Sequence, residues 1–130
     1  MDYIVERDGR LISIRVPEGA TDDTLDSDSL YRQVEAELGS GAASKYLLLH
    51  DLERTPRSSV RRKVFVSWVR AHRDLIVRRI EAYAVVAPNT IQRGMITAVL
   101  WVLEPPITHR VFANAAEARA WLDQIARGDA

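Results

Sequence analysis

The 130-residue chain has no cysteine, which excludes disulfide staples, a thiolate nucleophile, an iron–sulfur cluster and a cysteine-ligated zinc site. Its longest apolar-rich run, Met95 to Leu103, falls well short of the ~20 residues that span a bilayer, so no membrane insertion is expected. Met1 to Asp8 carries acidic residues and lacks the apolar stretch of a secretory signal, so the expected location is a reducing cytoplasm. The three histidines, His50, His72 and His109, show no His-x-x-x-His spacing, so neither a metal nor a cofactor is expected. A glycine-rich phosphate loop, an RNP-like aromatic phrase and a recognisable helix-turn-helix are also missing. Nucleic acid is therefore disfavoured as a partner, despite the arginines.

What is present fits one globular domain over residues 1–130, with 47% hydrophobic and 28% charged residues. A chain of this length buries roughly two-thirds of its exposable surface and needs no staple. Zero net charge conceals an asymmetry: the balance is −7 over residues 1–53, +8 over 54–93 and −1 over 94–130. The basic segment is expected to face an acidic partner or the acidic segment of the same or a second molecule.

The stretch from Tyr46 to Arg79 organises the pattern. A fully apolar run, Tyr46 to Leu49, passes through a polar corner, His50 to Ser59, into an arginine-rich helical pattern from Val60 to Ile76. Upstream, residues 3–7 and 10–16 flank Asp8-Gly9 as an antiparallel hairpin, with Ile12, Ile14 and Val16 alternating against polar neighbours. The acidic run from Asp22 to Ser29 lacks the glycine and closing glutamate of a calcium loop, and one of Asp26, Ser27 or Asp28 caps a helix bearing Leu30, Val34 and Leu38. Downstream, Ile80 to Ala87 is a strand apolar on both faces. The next helix places Ile91, Met95, Ala98, Val99 and Val102 at helical spacing, Gly94 is a candidate for close packing, and Pro105-Pro106 stops it. Thr108 to Phe112 reads as an edge strand, and Asn114 to Glu117 as a capping box opening a helix with Ala118, Trp121, Leu122 and Ile125. The order is β-β-α-β-α-β-α-β-α: an α/β fold with a mixed sheet and crossover helices.

The apolar strand ending in Asp51, the helix carrying Trp68, Ala84-Val85-Val86 leading to Arg93-Gly94, and Val111-Phe112 followed by Glu117 to Leu122 together resemble the STAS superfamily. The resemblance is to its SpoIIAA-like, anti-sigma-factor-antagonist branch. It covers nearly the whole chain and implies a non-enzymatic bacterial regulatory module that docks a protein partner or self-associates. It also implies a phosphorylation switch at the corner, with Thr55, Ser58 and Ser59 as the available hydroxyls. Arg57-Ser58-Ser59-Val60-Arg61 stands where the antagonists carry Asp-Ser-Ser-Gly.

The residues give parallel readings. Ser58 or Ser59 serves as a helix cap or as a switch. Asp51, Arg54, Arg57, Arg61 and Arg62 form a partner- or anion-binding set, in which Arg61, lying in the apolar half of its helix, either snorkels to solvent or binds an anion. The alternative function is a small apolar-ligand or lipid-binding domain, with Phe65, Trp68, His72, Tyr83 and Trp101 as wall material. His50 and Asp51 point to opposite faces of their strand and form no dyad, and no catalytic set of nucleophile, base and orienter appears.

Overall fold

The computed structural model describes residues 2–56 and 58–128; Arg57 lies outside the described residues. Two strands, β1 (Ile4–Asp8) and β2 (Leu11–Arg15), form the antiparallel hairpin. Its two-residue turn is Gly9-Arg10, one position later than expected, and Gly9 takes the φ of 60° that such a turn needs. Then follow α1 (Ser27–Leu38), β3 (Tyr46–Asp51), α2 (Ser59–Ala71), α3 (Arg73–Arg79), β4 (Ile80–Val86), α4 (Thr90–Leu103), β5 (Thr108–Phe112) and α5 (Ala115–Ala126). The mixed α/β architecture agrees with the sequence reading.

The sheet order is β1-β2-β3-β4-β5, with every pairing after the hairpin parallel. Each crossover therefore steps the same way across the sheet. Right-handed crossovers stepping one way put their helices on one face. Accordingly, Leu30, Val34 and Leu38 of α1, Val69 of α2, Ile76 of α3, and Leu100 and Leu103 of α4 share one core with Ile12, Ile14, Leu48, Tyr83 and Val85. The opposite face, Leu47, Leu49, Ala82, Ala84 and Val86, is covered by Ala118 and Leu122 of α5. A register shift beside Glu81 pairs Tyr46 with Ile80 but Leu47 with Ala82. The extra residue lets Ile80 and Tyr83 both reach the four-helix face.

Four helix starts are capped by side chains, that of α4 by Asn89, which accepts from Ile91 and Gln92. Asp26 accepts from Asp28 and Ser29, Ser58 from Arg61, and Asn114 from Glu117. The helix after the corner is not continuous to Ile76. It breaks at His72 (φ −119°, ψ 26°), where the imidazole Nδ1 bonds the Trp68 carbonyl at 2.9 Å and Nε2 lies 2.6 Å from Glu35 Oε1. The buried side of α4 also differs from the expected stripe. Leu100 and Leu103 are buried and Ile96 packs against the core, while Ile91, Ala98 and Val102 face out. A Cβ built on Gly94 would meet nothing within 4 Å, so this glycine serves no close approach.

Candidate functional site

At the carboxyl edge of the four-helix face, the corner after β3 roofs a cavity of about 100 Å³. Its floor is His50, Tyr83 and Val85 of the two central strands. Leu30 and Tyr31 of α1, Phe65 of α2, and Met95, Ile96, Val99 and Leu100 of α4 make the walls, with Leu52 beneath the corner. The rim is polar: Tyr3, Ser27, Thr55, Ser58, Arg61, Arg62 and Gln92. A second lobe of about 50 Å³ shares Leu30, Tyr31, His50, Phe65 and Tyr83, and extends between Trp68, Val69, Ile76 and Ile107. The cavity lies above β3 and β4, between side chains of α1, α2 and α4.

On the floor, His50 Nδ1 and Tyr83 Oη are hydrogen-bonded at 2.7 Å. Burial pushes the His50 imidazole down to about 4 and raises the Tyr83 phenol well above its ordinary range. At neutral pH both groups are uncharged. The pair satisfies two polar groups within an apolar chamber. Burial likewise raises Tyr31.

The structure gathers most of the corner residues singled out from the sequence around this cavity, in differing roles. Ser58 Oγ accepts the Arg61 backbone N–H at 3.2 Å, the geometry of an N-cap. Ser59 is exposed on the outside of the first turn, and Thr55 Oγ1 is enclosed without a hydrogen-bond partner among the described residues. Arg61 neither snorkels nor stands ready for a bound anion. Its guanidinium donates to Asp22 Oδ1 at 2.9 Å, to the Asp22 carbonyl at 3.0 Å and to Tyr3 Oη at 2.9 Å. Its side chain is only 14% exposed. The cause is placement: the acidic loop before α1 lies against the first turn of α2. Here the acidic and basic segments meet within one molecule. Arg62 also lines the cavity, half-buried, and no ion pair involves it among the described residues. Asp51 turns to the other side, where it accepts from Glu53 N at 2.9 Å, and Arg54 is exposed beyond the rim.

Of the expected wall residues, Phe65 and Trp68 are in place. Trp68 is stacked between Tyr31 (5.0 Å) and His72 (4.8 Å) and donates to Glu35 Oε1 at 3.2 Å. His72 lines neither lobe, because the break in the helix directs it to Glu35. Trp101 is no wall residue at all: it is 81% exposed. It follows Leu100, and a helix turns about 100° per residue, so burying Leu100 and Leu103 swings Trp101 outward. Tyr83, named from the sequence as an aromatic that could line a pocket, is on the floor. Tyr3, Tyr31, Gln92 and Ile96 were not anticipated; for Tyr3, Tyr31 and Ile96 the only sequence signal was aromatic or apolar content, and Gln92 gave none.

Among the described residues no cluster of three histidine, aspartate or glutamate side chains could hold a metal ion, and no helix is long and apolar enough to cross a membrane.

With this geometry in hand, comparison with known proteins defines the class. The SpoIIAA-like family model matches residues 11–123, and the chain belongs to that family, a branch of the STAS-type domains. It is similar to a solved, uncharacterized protein of the DUF3478 family with a SpoIIAA-like fold from Shewanella loihica PV-4. The two are 14% identical with a TM-score of 0.63, over 92% of this chain and 91% of that one, a likeness of fold. No curated protein matches the chain. SpoIIAA-like domains are generally non-enzymatic and generally interact with proteins.

Proposed function

We propose that this chain is a non-catalytic binding module that holds a small apolar molecule in the cavity beneath the corner. The observation that carries the reading is the cavity itself, whose walls are aliphatic and aromatic and whose polar groups gather at the rim. Supporting it, the two titratable floor groups, His50 and Tyr83, are uncharged at neutral pH and bonded to each other, so neither serves as a poised acid or base. At about 100 Å³ the cavity beneath the corner has room for a small apolar body. An occupant of one ring or a short chain fits that volume. Native mass spectrometry of gently purified protein tests the reading. A retained small molecule, released on unfolding, supports it. A bare mass in every preparation, together with no uptake of added aromatic probes, contradicts it.

A second reading is docking of a protein partner on the outer side of the same corner. It is favoured by the exposure of Val60, 67%, in the first turn of α2, beside an open groove lined by Asp28, Arg32, Glu35, Lys63 and Trp68 between α1 and α2. Ser59 adjoins Val60 in the first turn, and a phosphate on it would alter the charge of that surface without breaking the Ser58 cap. Affinity purification with the native chain and with a Val60→Asp, Lys63→Glu variant tests it: a partner lost by the variant supports docking, and one retained equally opposes it.

A further inference from the structure

We infer that the occupant of the cavity is a monocarboxylate, with its apolar body between the helices and its carboxylate at Arg62. This rests on the reading of the cavity as a ligand site and adds the chemistry of the ligand's head. Two observations lead there. First, among the described residues no aspartate or glutamate lines either lobe, and the formal charges of the lining are the two guanidiniums of Arg61 and Arg62 at the mouth. Second, those two are not equivalent. Arg61 is neutralised by Asp22 and held by Tyr3, whereas Arg62 is half-buried beside the same chamber and has no ion pair among the described residues.

A half-buried arginine facing an apolar chamber without a counter-ion favours an anion from outside, because the planar guanidinium matches a carboxylate's two oxygens. The far end of the chamber offers the opposite chemistry. His50 and Tyr83 have satisfied each other and present ring faces, and Phe65 lies stacked 6.3 Å from Tyr83, a surface suited to an aromatic or aliphatic body. A cation would meet the like charge of Arg62 at the mouth, and a dianion would leave one charge without a partner.

Three probes of one shape separate these cases in calorimetric titrations: 3-phenylpropanoate, 3-phenylpropan-1-ol and 3-phenylpropylammonium. The carboxylate is expected to bind about tenfold more tightly than the alcohol, and the ammonium most weakly. Arg62→Gln is expected to bring the carboxylate down to the alcohol's affinity while leaving the alcohol unchanged. In the unaltered protein, raising salt is expected to narrow the gap between the two probes, which keeps the test independent of the variant's folding. Equal affinities for alcohol and carboxylate in the unaltered protein, or a preference that survives Arg62→Gln, overturn the assignment of the head group and leave the apolar cavity standing. Failure of all three probes to bind overturns the cavity reading and this inference with it.

Discussion

Replacing Arg61 by methionine is the sharpest single perturbation of the corner, because the structure casts this residue as a bracket and not as a ligand-binding arm. The guanidinium ties the first turn of α2 to the Asp22 loop and to Tyr3 near the start of β1, with three bonds between 2.9 and 3.0 Å. Hydrogen bonds to a charged group contribute about 1.5–3 kcal/mol. The Asp22 carboxylate, 55% exposed, adds no more than ~1 kcal/mol of ion pairing. Methionine keeps most of the packing, so the expected loss is about 3 kcal/mol, or roughly 10 °C in Tm for a domain of this size. Urea denaturation followed by tryptophan fluorescence measures it, and the midpoint is expected to fall with little change in slope. Asp22→Asn alone is expected to cost under ~1 kcal/mol. Arg61→Lys is expected to recover less than half of the loss, since one ammonium cannot span Asp22 and Tyr3 as the fork does. A loss below ~0.5 kcal/mol for Arg61→Met would refute the bracket and return Arg61 to the set of free cations.

The other expectations concern the cavity floor and the helices. His50 has a folded pKa near 4 against an ordinary 6.5, so between those values the unfolded chain binds more protons than the folded one. Stability is therefore full above about pH 6.5, declines as pH falls toward 4, and levels off below. The loss is on the order of 2–3 kcal/mol, and it is absent in His50→Gln when urea midpoints are compared across that range. Gly94→Ala is expected to stabilise by about 0.5–1 kcal/mol, because the added Cβ meets nothing and α4 loses its helix-weakening residue; a destabilised variant would show a packing role that the structure lacks. Ser58→Ala is expected to cost about 1 kcal/mol in the same assay, and a neutral result would remove the cap.

Much of the framework was legible from local signals. Gly9, Asp26, Ser58 and Asn114 mark turn and caps through chemistry that acts within a few residues, and the doubly apolar strands identify the sheet centre. The misreadings arose where local signals were degenerate. Helix α4 is apolar nearly all round, so Ile91, Ala98 and Val102 fit a helical stripe as well as Ile96, Leu100 and Leu103 do. Only the sheet beneath decides which is buried. The break at His72 has no glycine or proline to announce it. It depends on Glu35 in another helix.

The site was legible in part. The corner's residue types pointed to the right place, since Thr55, Ser58, Arg61, Arg62 and Phe65 all line the cavity. Their roles required long-range geometry. The partner that occupies Arg61 is 39 residues away in sequence; the charge asymmetry pointed to such a meeting of acidic and basic segments but not to which residues make it. The His50–Tyr83 pair depends on the register shift at Glu81, which brings a tyrosine onto the histidine's face. No pattern within either strand encodes that contact.

The cavity is the centre of this account, and methyl NMR of the protein titrated with 3-phenylpropan-1-ol tests it most directly. The two cores lie on opposite faces of one sheet, so each protein carries its own control. Saturable shifts are expected at the methyls of Leu30, Met95, Ile96, Val99 and Leu100, while those of Leu47, Leu49 and Leu122 stay still. Shifts spread equally over both faces, or none at all, would contradict a ligand cavity beneath the corner.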